Sequence, residues 1–141
     1  WAVYLVTLEK PGARPRVYVG SSISCHLLGA ATRIKMYKAN LFDTRNTNTR
    51  FSALPTLVKV ARASRWKITH VGLLCAGLMH DLRNSTQPYA LVIRALESVL
   101  LLALGLMHLS VQTTSSIQHC PWSIETLEYD GLCRTIALAE N

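Results

Sequence analysis

Two tyrosines near the start of the chain, one arginine and one isolated glutamate are the residues best suited to chemistry. Tyr4 and Tyr18 lie in strand-like runs, Arg33 follows in a helical pattern, and Glu97 stands within a long apolar stretch. Such a set can hydrolyse a phosphodiester with one metal ion, because the cation offsets the charge that develops in the transition state. Mg²⁺ keeps most of its waters and often takes only one or two carboxylates, so a single glutamate can suffice.

The same four residues also have ordinary structural interpretations. Taken singly, Tyr4 and Tyr18 are typical strand aromatics that pack on a helix. Arg33 by itself is typical of a helix surface, and Glu97 can pair with Arg94, three residues earlier on the same helix face. A carboxylate buried without a partner is costly, so Glu97 needs either this ion pair or a cation.

Charge is distributed unevenly along the chain. The formal net charge is +7, and between Lys10 and His70 twelve Lys or Arg residues face a single acid, Asp43. From Cys120 onward, four acids accompany one base. A basic half with an acidic tail predicts a polyanion partner, and we expect DNA, although a protein-interaction domain with an incidental basic face remains an alternative. The cations that we expect to contact phosphates are Lys35, Lys38, Arg62, Arg65 and Lys67.

Composition and length indicate one folded domain. The chain has 141 residues, of which 50% are hydrophobic and 16% charged. The four cysteines show no metal-binding spacing. The apolar stretch 89–107 contains Arg94 and Glu97, and charges in mid-span are costly in a bilayer, so we predict a helix of the core and no membrane partner.

No signal pattern is visible at the start of the sequence, so we expect an intracellular protein of the nucleus or the mitochondrion. The first residue is Trp1 rather than Met, which is compatible with excision from a longer protein. Residues 1–109 are predicted to form the core, and 110–141 a linker and C-terminal extension of the same domain.

The predicted elements follow the order β-β-α-α-β-α, which gives an α+β fold with a small three-stranded sheet packed with helices. A Pro/Gly-rich turn joins the first two strands into a hairpin, and alternation places both tyrosines on one side of it. We predict strands at 2–8, 16–20 and 67–76, helices at 26–39, from Pro55 and from Pro88 to about Leu109, a polar linker at 110–118 and a helical turn near 123–127.

These residues resemble the motifs of the GIY-YIG nuclease family. Ala2-Val3-Tyr4 is similar to the first half of the family motif, with Ala in place of Gly, and Tyr18-Val19-Gly20 is similar to the second half, with Val in place of Ile. Arg33 and Glu97 stand where the family has its arginine and its metal-binding glutamate. The resemblance covers about residues 2–107, and the runs 17–22 and 66–70 are similar to fungal members.

The resemblance implies a role for each residue. Glu97 would bind one divalent cation, Mg²⁺ or Mn²⁺, and Tyr4 would act as general base or orient the attacking water. Tyr18 would donate a hydrogen bond in the site, and Arg33 would pair with the scissile phosphate, where its planar fork suits two phosphate oxygens. Gly20 would allow a close backbone approach. The implied reaction is hydrolysis of one DNA strand per active site, with no small-molecule cofactor.

Further residues of the implied site are less specific. Tyr37 stands where many family members have His, and His70 lies on the third predicted strand, so both are expected to line the site behind the catalytic residues. The family often has an Asn after the glutamate helix, whereas here Asn141 is the only Asn after Asn84. Two interpretations therefore stay open, an active nuclease core and a core that binds nucleic acid without cutting it.

Overall fold

The chain forms an α+β fold around a small mixed sheet of four strands. The computed structural model describes residues 1–22, 64–77 and 86–139, together with the single positions 31, 34, 35, 37, 57 and 61. In the described residues the sheet order is β3-β1-β2-β4, with β1 antiparallel to β2 and β3, and β4 parallel to β2. The strands are β1 (Ala2–Glu9), β2 (Arg16–Ser22), β3 (Lys67–Ala76) and β4 (Asp130–Gly131). The predicted α+β class is confirmed.

The hairpin of β1 and β2 follows from its sequence. Both strands are rich in β-branched and aromatic residues, and the turn between them contains Gly12 at a φ of 74°. Tyr4 lies opposite Gly20, and Val6 lies opposite Tyr18. Because residues directly opposite each other share a face, both tyrosines line the same side of the sheet, as the alternation predicts.

The third strand pairs with β1 less regularly. The register shifts between Val3 and Tyr4 and again between Thr7 and Leu8, and each shift adds one residue to β3. Such bulges interrupt the alternation of faces, so side chains of β3 cannot be assigned to a face by counting from one end.

Each face of the sheet has its own hydrophobic core. The first core lies on the tyrosine face and comprises Tyr4, Val6, Leu8, Tyr37, Leu57, Ala61 and Trp66. Positions 31, 34, 35, 37, 57 and 61 are helical, within the two helices predicted before β3, and the remainder of those predictions lies outside the described residues. The second core joins Val3, Val17 and Val19 to Ile93, Leu101, Leu106, Met107 and Cys133.

The helix α1 (Thr86–Ala103) covers the second core. It was predicted to continue to about Leu109, but it ends six residues earlier. Gly105 has a φ of 62°, its N–H donates to the Leu102 carbonyl (3.1 Å), and the Leu106 N–H donates to the Leu101 carbonyl (2.9 Å). This left-handed glycine cap stops the helix inside an apolar run. No helix in the described part of the chain is long and apolar enough to cross a membrane.

The segment predicted as a polar linker is partly helical. A 3₁₀ turn (Leu109–Val111) precedes α2 (Thr114–Gln118). At the start of α2 the Thr113 hydroxyl accepts the Ser116 N–H, and the Ser116 hydroxyl accepts the Thr113 N–H. The linker prediction is wrong because these Ser and Thr residues cap a helix instead of forming an irregular link. A further 3₁₀ turn (Ile124–Thr126) matches the helical turn that was predicted near this position.

After α2 the chain returns to the sheet. The Asp130 N–H donates to the Pro15 carbonyl (2.9 Å), and the Leu132 N–H donates to the Val17 carbonyl (3.0 Å). The Cys133 N–H then donates to the Leu106 carbonyl, and the His108 N–H donates to the Cys133 carbonyl. This fourth strand was not predicted, because Asp and Gly are poor strand formers and the pairing is only two residues long. Asp130 and Gly131 thus join the same sheet, and Val111, Tyr129, Cys133 and Ile136 pack in the second core.

Tyr129 fixes the return of the chain to the end of α1. Its hydroxyl donates to the Leu104 carbonyl at 2.7 Å. Burial raises the pKa of the Tyr129 phenol above its usual value, and Cys120 adds to the effect. The phenol therefore stays protonated, and able to donate, throughout the neutral range.

Gly131→Ala is expected to destabilise the fold. A Cβ at Gly131 would overlap the carbonyl carbon and oxygen of Leu106, which are backbone atoms that cannot rotate away. Overpacking of this kind costs about 1–3 kcal/mol, measured as a loss in the free energy of unfolding in urea. Gly72→Ala is the control, because no atom lies within 4 Å of its Cβ position. Equal stability of the two variants would contradict the close approach.

Candidate functional site

The two tyrosine hydroxyls converge above Gly20. A Cβ at this position would lie 3.0 Å from the hydroxyl oxygens of both Tyr4 and Tyr18, and 2.7 Å from Cε1 of Tyr18. The hydroxyl oxygens of Tyr4 and Tyr18 can therefore be no farther apart than twice 3.0 Å. Gly20 does not have the positive φ found at Gly12 and Gly105, so it is needed here for space and not for backbone conformation.

Tyr37 joins the pair from a helical position. Its hydroxyl shares a hydrogen bond of 2.9 Å with the Tyr4 hydroxyl, and the two rings meet edge to face with centroids 5.9 Å apart. Tyr4 and Tyr37 are both 1% exposed, whereas Tyr18 is only half-buried. Tyr18 is therefore the residue of this group that is more accessible to a ligand.

Glu97 lies on α1, the helix that covers the second core. Ile93 and Leu101, one turn before and one turn after it on α1, are each 1% exposed and pack against the sheet. Residues four apart share a helix face, so Glu97 lies on the side of α1 that faces the sheet, where it is half-buried. This face of α1 belongs to the core opposite Tyr4.

Tyr18 is the residue that connects the two sides. Its ring packs against both hydrophobic cores. The short β4 pairs only with Arg16 and Val17, so the later part of β2 has no further strand beside it among the described strands. The structure therefore places Tyr4 and Glu97 on opposite sides of the sheet, and Tyr18 is the predicted site residue that contacts both cores.

The remaining predicted residues have varied positions. Lys35 is exposed at a helical position, and Arg65 and Lys67 are exposed on either side of Trp66. Arg33, the predicted phosphate ligand, lies outside the described residues, as do Lys38 and Arg62.

His70 does not belong to the tyrosine group. It lies opposite Thr7 of β1, and Thr7 faces away from the side that carries Tyr4 and Val6. Its side chain is exposed. His70 lies on the other face because the bulge before Ile68 changes which residues of β3 share a face with the tyrosines; its place in the site stays a prediction.

Arg65 has a backbone conformation that few residues other than glycine adopt. Its φ is 58°, and the following Trp66 N–H donates to the Ala61 carbonyl at 3.0 Å, which is the cap of a helix ending at this point. A left-handed conformation costs a residue with a side chain about 1–2 kcal/mol relative to the right-handed form. The sequence carries no signal for this strain.

Arg16 is a candidate that the sequence analysis overlooked. Its guanidinium carbon lies 4.6 Å from the centroid of the Trp66 ring. Arg16, Tyr18 and Gly20 alternate along β2 and so share one face. This alternation can be read from the sequence, and it predicts that Arg16 lies on the same face as the tyrosines.

A metal site of several ligands is absent from the described residues, where no group of three or more His, Cys, Asp or Glu side chains is placed to hold an ion. A Mg²⁺ site based on one carboxylate and several waters needs no such cluster. Glu97, half-buried on the sheet side of α1, fits this simpler donor set.

Comparisons of the chain with protein families, with curated proteins and with solved structures gave no match. The resemblance of its motifs to the GIY-YIG family therefore stays a prediction.

The hydrogen bond between Tyr4 and Tyr37 is expected to stabilise the site. Tyr4→Phe and Tyr37→Phe should each lower the free energy of unfolding by about 1 kcal/mol, because each removes one partner of a buried hydrogen bond. The double variant should lose less than the two single losses combined, since both remove the same bond. Urea unfolding of the four proteins measures this coupling.

Tyr89→Phe is the matched control for this cycle. Tyr89 is 51% exposed on α1, so its loss of a hydroxyl should change stability by less than about 0.5 kcal/mol. Full additivity of the two buried substitutions would show that the two hydroxyls do not stabilise each other.

Proposed function

We propose that the protein is a metal-dependent endonuclease that hydrolyses a DNA phosphodiester bond at a GIY-YIG-like site formed by Tyr4, Tyr18, Arg33 and Glu97. The observation that carries the proposal is the convergence of two tyrosine hydroxyls over a glycine that leaves them room. Core packing alone does not require two phenol oxygens to approach the same point of the backbone. The excess of basic residues in the first half of the chain supports a polyanionic substrate.

The role that we propose for each tyrosine follows from the exposure of its side chain. Glu97 would hold a divalent cation, which would supply positive charge at the phosphate. Tyr18, the more accessible phenol, hydrogen-bonds to the water or the phosphate, and Tyr4 orients Tyr18 and its surroundings from behind. A phenol with an ordinary pKa of about 10 is a poor base at neutral pH, so the tyrosines serve mainly to orient groups. Arg33 pairs with two phosphate oxygens.

A nucleic-acid-binding module of the same fold that does not cut is the second candidate. The burial of Tyr4, at 1% exposure, and its hydrogen bond to Tyr37 favour this alternative, because a hydroxyl enclosed in a core does not meet substrate directly. The two candidates share DNA binding and differ in cleavage. Mg²⁺-dependent nicking of supercoiled plasmid separates them.

Glu97→Gln is expected to abolish nicking while the protein still folds and binds DNA. Gln preserves the shape of the side chain but loses the charge that holds the cation. Removal of a negative charge near a phosphate should leave binding unchanged or tighter. The measurements are plasmid nicking with Mg²⁺ or Mn²⁺, DNA affinity, and melting temperature, each compared with the parent protein.

Glu128→Gln provides the control, since Glu128 is an exposed carboxylate and its loss changes the net charge equally. If Glu97 is instead a structural partner of Arg94, Glu97→Gln should lower stability by about 1–3 kcal/mol and leave nicking per folded molecule intact. A destabilised variant that still cuts would refute the role of Glu97 in metal binding.

A further inference from the structure

Arg16 lies on the tyrosine face at the opposite end of β2 from Gly20. It shares this face with Tyr18 because the three residues alternate along the strand. Gly20 is the fourth residue after Arg16, which corresponds to about 13 Å at ~3.3 Å per residue. The face therefore has tyrosine hydroxyls at one end and a guanidinium at the other.

The position of Arg16 is fixed by its neighbours. Its guanidinium lies over the ring of Trp66, at 4.6 Å from the centroid, and Trp66 is 7% exposed. A guanidinium placed over an aromatic ring is held by the ring while its N–H groups stay available at the edge. Asp130, in register with Arg16 on β4, is bridged by Arg14 at 3.6 Å.

A second cation lies directly beside this pair on the chain. Arg65 precedes Trp66 and is exposed, and its left-handed backbone turns the chain at this point. Lys67, on the other side of Trp66, lies opposite Glu9, whose strand position faces away from Tyr4. Of these three cations, the strand alternation places Arg16 on the tyrosine side and Lys67 on the other side, whereas Arg65 lies in the turn before β3.

We infer that Arg16, held over Trp66 on the tyrosine face, binds a phosphate of the backbone of duplex DNA away from the bond that is cut. The inference rests on the proposed nuclease function and names a second contact of the same substrate. The distance of about 13 Å along β2 separates this contact from the position of Gly20. The site binds phosphate without reading bases, because a guanidinium on the backbone contacts no base edge.

Arg16→Met tests the inference, because Met keeps an apolar stem over Trp66 and loses the charge. We expect weaker binding to duplexes of any sequence, and the plot of log affinity against log salt should lose about one unit of slope. Arg16→Lys should keep most of that slope. Arg134→Met is the matched control, because Arg134 is exposed in the acidic C-terminal part of the chain, so this variant should keep the slope of the parent protein. Binding is measured without Mg²⁺, and circular dichroism verifies that each variant is folded.

An unchanged salt slope in Arg16→Met, equal losses in Arg16→Met and Arg134→Met, or a parent protein without salt-dependent DNA binding would each overturn the inference. A parent that binds with the expected slope and does not nick would refute only the nuclease proposal.

Discussion

The register between β1 and β2 is the constraint on which the rest of the structure depends. β1 is paired on both edges and contributes to both cores, with Tyr4, Val6 and Leu8 on one side and Val3 on the other. A slip by one residue would exchange these two sets and would place a side chain where Gly20 now leaves room for the phenols. The same pairing that builds the two cores thus also determines where the tyrosines meet.

The position of Glu97 depends on the end of the chain. Ser98, its neighbour on α1, is buried, donates its hydroxyl to the Arg94 carbonyl (2.7 Å) and accepts the Leu138 N–H (3.2 Å). Leu138 belongs to a last 3₁₀ turn (Ala137–Ala139) that packs on α1. The residues after α1 therefore hold the helix that carries the candidate metal ligand, and they are part of the architecture of the proposed site.

The sequence predicts features that repeat along a strand and misses those that depend on a single contact. The shared face of Tyr4 and Tyr18 follows from a period of two, which holds throughout the hairpin. The face on which His70 lies does not follow from this period, because two bulges in β3 interrupt the alternation. The end of α1, which Gly105 caps, lies within a run of leucines. The apolar pattern continues past this point, so it predicts a longer helix. Arg16 was within reach of the alternation argument, but its contact with Trp66 was not.

The bulges of β3 also bear on how the protein behaves at high concentration. β3 lies at an edge of the sheet among the described strands, and it exposes Leu73 at 60% and Leu74 at 39%. A long, regular and apolar edge is a template for pairing with further chains and hence for aggregation. The two shifts leave no run of more than four residues in regular register along this strand. The irregular edge therefore protects the protein against edge-to-edge assembly.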